Sequence, residues 1–220
     1  MEILERIGYA VCHQLPEKSI FIEGKQLPVC ARDTGIYFGS LISLFFVLLS
    51  KRRRSNSIPV PYISFTFVFF MLLMGVDAVS SYVGFRETTN SIRLLTGLLV
   101  GISLPLFMYP ILIDNLLGEH DEEHILKSWY ELLLLLFLVI SSYLLILYFN
   151  VQLYYPVAFA TVIGIGALHF LLLCTLISFF VLNFNIKSNI KKALLIFPQS
   201  FILLFAEFVI LTKLHNLVNK

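Results

Sequence analysis

The chain has 220 residues, of which 58% are hydrophobic and only 14% charged, with a formal net charge of +2. Mean hydropathy is +0.87, which excludes an ordinary soluble domain. Three Cys are too few for a disulfide scaffold, and one short basic run, Lys51 to Arg54, gives no support for nucleic-acid binding.

Six apolar runs are long enough to cross ~30 Å of hydrocarbon, which takes roughly 20 helical residues. They are continuous rather than alternating, so they read as helices and not as barrel strands. The expected fold is an all-α polytopic bundle of about six transmembrane helices in a cell membrane, with the lipid bilayer as first partner. Two parts are expected: a polar N-terminal cap at 1–33 and a six-helix domain at 34–220.

Residues 1–15 read as a short amphipathic helix, with Ile3, Leu4, Ile7, Val11 and Leu15 near helical spacing. It either lies on the membrane surface or docks on the bundle. Pro16 ends it, and 16–32 reads as a loop with a turn at Glu23-Gly24-Lys25. Residues 1–32 lack an apolar core and mix acids with bases, so no cleavable signal peptide is expected.

The spans are expected at about 34–50, 62–84, 91–113, 131–149, 156–182 and 193–214. Pro105 and Pro110 are expected to kink the third, and Gly164 and Gly166 to allow close helix contact in the fifth. No internal repeat is apparent. Basic residues follow span one (the Lys51–Arg54 run) and span five (Lys187, Lys191, Lys192), whereas the loop after span two holds only Arg86 and the Asn150–Tyr155 loop none. That bias places the Lys51–Arg54 side in the cytoplasm and both termini outside, against the opposing weight of Arg6, Lys18, Lys25 and Arg32.

The candidate chemistry begins with Cys12, His13, Cys30 and Asp33. Thiolate, imidazole and carboxylate are the usual ligands of zinc, and Cys30 and Asp33 have a C-x-x-D spacing. Three readings stand: a metal site, a Cys12–Cys30 disulfide in an oxidising compartment, or thiols packed on helix ends.

The stretch CHQLPEKS, then PVCARDTGIYFG, resembles the signature of an uncharacterised, domain-of-unknown-function family of predicted integral membrane proteins. Its members show C-H-Q-x-P-x-R-S and C-A-R-C-T-G-I-Y-x-G, and the stretch from Asp77 through Arg93-Leu94-Leu95-Thr96-Gly97 to Gly101 resembles its second block. Lys18 stands where that family has Arg. Asp33 stands where it has Cys, which keeps a metal ligand and removes a disulfide partner. The resemblance implies no activity.

A second set lies within the spans. Asp77 and Arg93 flank a short loop, so the spacing predicts an ion pair or a functional site near one face. Arg86, Asn90 and Thr96 join Arg93 as candidates to hold an anionic group, with Asp77 as base or proton carrier. His169 and Glu207 sit mid-span and are either buried hydrogen-bonded residues or, with Asp77, a proton-relay or metal-assisted site. The run 119–123 with His120 and His124 reads as a solvated loop.

Both groupings fall on one membrane face, because the cap and the loop between spans two and three share a side. Three functions follow. The first is a metal-binding, zinc-holding membrane enzyme acting on a lipid or isoprenoid-like substrate at that face, with Asp77, Arg93, His169 and Glu207 in catalysis. The second is a small transporter or channel with an Asp77/His169/Glu207 path. The third is a structural or assembly factor. No G-x-S-x-G, H-E-x-x-H or P-loop pattern occurs.

Overall fold

A computed structural model describes residues 3–52, 54–118, 123–148, 153–182, 186 and 188–218. Arg53, the 119–122 part of the acidic run with His120, Asn150, Lys187 and Lys220 lie outside the described residues.

The chain is an all-α polytopic membrane fold. After a short helix α1 (Ile3–Val11) come six long helices: α2 (Ala31–Leu49), α3 (Pro61–Tyr82), α4 (Asn90–Leu117), α5 (Trp129–Tyr148), α6 (Tyr154–Leu182) and α7 (Asn189–Val218). All six are long and apolar enough to cross a bilayer. α4 runs unbroken through Pro105 and Pro110, and Gly118 ends it in the left-handed conformation with φ 62°.

The cap is more ordered than a loop. Helix α1 stops at Val11 rather than continuing to Leu15, because Gln14 turns the chain back with φ 52° and its Nε2 donates to Glu5 O and Pro28 O, each at 2.7 Å. A single 3-10 turn (Pro16–Lys18) leads into an antiparallel hairpin of β1 (Ser19–Ile22) and β2 (Lys25–Cys30). Its two-residue turn, Glu23 and Gly24, has φ of 54° and 74°, the twist that closes hairpins tightly. An isolated two-stranded hairpin is marginal in water. Here Ile20, Ile22, Leu27 and Val29 are buried while Phe21 faces out. Helix α1 docks on the bundle rather than lying free: Tyr9 stacks on His215 of α7 at 4.2 Å, and Gly8 touches Pro28 so closely that a Cβ would strike its carbonyl.

The tightest seam joins α2 and α4. A Cβ on Gly35 or Gly39 would strike the carbonyls of Leu94 or Leu98, and one on Gly97 or Gly101 those of Arg32 or Ile36. Two G-x-x-x-G faces therefore interlock backbone to backbone, the arrangement that dispersion favours in lipid. Ser40 Oγ bonds across the seam to Gly101 O at 3.2 Å. Gly164 brings α6 equally close to the Tyr37 carbonyl, but Gly166 faces open space, contrary to the expected contact.

At the opposite end, among the described residues of the expected solvated loop, Glu123 is exposed and His124 half-buried. Ser57 and His124 form a parallel bridge, Ile125 N donates to Ser57 O, and His124 Nδ1 lies 2.7 Å from Ile58 O. Arg52 pairs with Glu131.

Candidate functional site

Both sequence-derived groupings sit at the capped end. Asn90 joins them: its Nδ2 donates to Glu17 O (3.2 Å) and Ser19 O (2.9 Å), tying the start of α4 to the cap.

Ligand atoms of Cys12, Cys30 and Asp33 lie within 4.8 Å of one another. Cys30 is the residue before α2 and makes no side-chain capping bond, so its thiol is free to face Cys12; Asp33 occupies the helix's first turn. Both cysteines are free thiols, and the Cys30 N–H donates to Cys12 Sγ at 3.2 Å. The hydrogen bond from the Cys30 thiol holds the Cys12 thiol below its ordinary value, against burial and the Asp33 charge. The same bond, with burial and Asp33, pushes Cys30 up. In the metal-free protein Cys12 therefore ionises first.

His13 does not join this group. Its ring lies 4.4 Å from that of His215, because adjacent residues at the end of α1 point apart. Among the described residues three of the four expected ligands come together.

The expected Asp77–Arg93 pair is replaced by a different network. Asp77, 3% exposed, accepts from Arg32 Nη2 at 2.5 Å, Arg86 Nη2 at 2.6 Å and Thr88 Oγ1 at 3.0 Å. Arg32 wins the place because α2 begins at Ala31, which puts it in a helix turn facing α3. Arg93, 9% exposed, donates instead to Asn90 Oδ1 (3.3 Å) and Ser81 Oγ (3.4 Å). Thr96 does not face this network with its hydroxyl, which bonds to its own helix at Ile92 O and Arg93 O.

His169 and Glu207 do meet, Nδ1 to Oε1 at 2.9 Å, and Tyr37 OH lies 3.4 Å from His169 Nε2. Glu207 Oε2 is buried without a partner. Asp77 is not part of this chain of contacts, so the expected Asp77/His169/Glu207 set divides in two. Tyr37, absent from the sequence candidates, lies one turn after Asp33 on α2 and packs in one buried cluster with Cys12, Val29, Ile165 and Leu168. The i, i+4 spacing of Asp33 and Tyr37 was the available signal. Arg32 was likewise missed; its signal was its place immediately before Asp33.

The family described as "Predicted membrane protein (DUF2085)" matches residues 12–107, a stretch that holds both polar groupings and the α2–α4 seam but not His169 or Glu207. An uncharacterized protein of Methanothermobacter thermautotrophicus is 35% identical over 97 residues, which cover 43% of this chain and 80% of that protein. An uncharacterized protein of Methanocaldococcus jannaschii is 32% identical over 104 residues, 47% of this chain; the chain spans 65% of that relative's length. No solved structure matches. The chain is a multi-pass membrane protein and belongs to the DUF2085 family of predicted membrane proteins.

Proposed function

We propose that this protein is a zinc-binding membrane enzyme whose cap holds the ion beside a cationic pocket for an anionic, lipid- or isoprenoid-like substrate. The observation that carries the reading is the convergence of Cys12, Cys30 and Asp33 ligand atoms within 4.8 Å. Two thiolates and a carboxylate suit zinc, and three protein ligands leave a fourth position open, as catalytic zinc sites do. Cys12, the thiol of lower pKa, supplies the first thiolate. Arg86, the half-buried Arg32 and the buried Arg93 lie on the same face, and a guanidinium fork suits phosphate or carboxylate oxygens. The Asp77 carboxylate, enclosed by its three donors, orients these groups and does not serve as a free base.

In this reading the capped face and both termini are extracytoplasmic, since the Lys51–Arg54 run marks the other side. The cap, residues 1–33, and the helical domain, 34–220, then meet at the site. A transporter needs polar groups through the whole thickness. Below His169 the α4–α6–α7 interface is mainly apolar, with Leu112, Leu171, Ile177, Val181 and Ile196 packed around a buried Asn115–Ser178 hydrogen bond.

The test is metal content of the detergent-purified chain, with Cys30→Ser and Asp33→Asn in parallel. About one zinc per chain, lost in both variants while membrane yield holds, is the expected result. Absence of metal, with no titratable thiol at Cys12 or Cys30 in the native protein, overturns it in favour of a disulfide.

A further inference from the structure

The outer face of α3 carries an apolar cavity of about 590 Å³, lined among others by Met71, Leu72, Gly75, Val76, Val79 and Phe85. At Gly75 nothing lies within 4 Å of where a Cβ would be, so the floor of the groove is open. From Leu72 to Val83 the groove follows the helix for roughly 16 Å. It ends at Phe85, next to Arg86.

At that end the charges do not balance. Two guanidiniums, from Arg32 and Arg86, pair with one carboxylate, Asp77, and a third, from Arg93, sits beside them on Asn90 and Ser81. Arg93 is 9% exposed and its hydrogen bonds go only to neutral oxygens. Arg32 Nε is buried with no partner. Glu87 is exposed and forms no ion pair with them among the described residues. A buried positive charge of this kind is costly unless an anion compensates it. The Arg86 side chain is 50% exposed and uses Nη2 on Asp77, which leaves further N–H donors of its fork for a ligand. The position is also that of a headgroup: α3 ends at Tyr82, which is 93% exposed, as aromatic residues are at the membrane–water boundary.

We propose that this groove holds one anionic phospholipid, its acyl chain across Gly75 and its phosphate on Arg86, with Arg32 and Arg93 supplying the surplus positive potential. The inference deepens the substrate half of the proposed function and does not need the metal for binding.

The experiment uses the full chain, delipidated in neutral detergent and offered phosphatidylglycerol or phosphatidylcholine, with retained lipid counted by native mass spectrometry. Wild type is expected to keep about one phosphatidylglycerol and to prefer it roughly tenfold over phosphatidylcholine, the scale of one charge-assisted bond. Arg86→Gln should abolish the preference. Gly75→Leu, which fills open space and leaves the fold intact, should lower retention of both lipids. Equal retention of the two lipids, or retention unchanged in Gly75→Leu, overturns the proposal. So does displacement of the lipid by millimolar inorganic phosphate, which would identify a free-anion site. Zinc is measured in the same samples. Zinc bound without lipid preference refutes this inference alone, and lipid preference without zinc refutes the metal reading alone.

Discussion

Replacing Gly97 with Ala tests whether the α2–α4 seam positions the site. The added methyl would fall on the carbonyl oxygen of Arg32, with the Gly35 Cα only 3.2 Å away. Both obstacles are backbone, so neither can rotate aside as a side-chain tip would. Overpacking of this kind costs about 1–3 kcal/mol. Against it stands the gain of Ala over Gly in a helix, about 1 kcal/mol. The matched control is Gly166→Ala, also mid-helix, where nothing lies within 4 Å of the new methyl. The propensity gain is common to both, so their difference isolates the clash, and Gly97→Ala should be less stable than Gly166→Ala by about 1–3 kcal/mol. Unfolding in mixed micelles of increasing denaturing detergent, followed by helical circular dichroism, measures that difference. Because the clash falls on Arg32 itself, Gly97→Ala should also perturb Asp77, Cys30 and Asp33, and lower zinc content. Two variants agreeing within about 0.5 kcal/mol would refute the reasoning.

Asp77→Asn should destabilise the protein by about 3 kcal/mol, the lower end for a broken buried pair because Arg32 and Arg86 are partly exposed; adding Arg32→Gln should recover part of the loss in the same assay. In chelator-treated protein, alkylation of Cys12 should set in at a lower pH than for an ordinary thiol, because the hydrogen bond from Cys30 favours its thiolate. Cys30→Ala removes that donor, so the onset should move to higher pH; quantitative thiol labelling across pH reads it, and an onset that stays put would sink the assignment. His169→Phe removes the partner of Glu207, whose other oxygen is already unpaired, and should cost about 1–3 kcal/mol; the double variant with Glu207→Leu should be less destabilised than the single, as thermal unfolding in detergent would report.

The helices were legible because their apolar runs are long and unbroken, and the helix assignments needed only that. The start of α2 was not: Ala31, Arg32 and Asp33 are more polar than a span, so they read as loop although they form its first turn. That displacement hid Arg32 as the partner of Asp77 and left Arg93 as the apparent choice. The hairpin was hidden for a different reason. Its strands are four and six residues long and the second contains Pro28, which weakens a strand pattern, while the turn at Glu23-Gly24 was plain from its glycine. The two G-x-x-x-G pairs were present to be read, but spacing alone cannot say that they face each other. His13 illustrates the limit most clearly. Adjacency to Cys12 made it a ligand on paper, whereas its ring contact is with His215, some two hundred residues later.

One short segment serves both groupings. Cys30 and Asp33 face Cys12 in the cap, while Arg32 between them reaches Asp77 on α3. Successive residues at a helix start point about 100° apart, so a single turn can present ligands to one side and a guanidinium to the other. The glycine seam then fixes the rotation of α2 against α4, since turning α2 would bring side chains onto the α4 backbone. Deeper in the bundle, Thr175, Ser178 and Ser200 donate to carbonyls of their own helices, at 2.8, 2.7 and 2.8 Å, and Ser178 accepts from Asn115 Nδ2 at 2.8 Å. Among the described residues, the two thiols, Asp33 and the excess guanidiniums lie at the capped end, and Glu207 Oε2 is an unpaired polar atom deeper in the bundle. That asymmetry favours chemistry at one membrane face over passage through it.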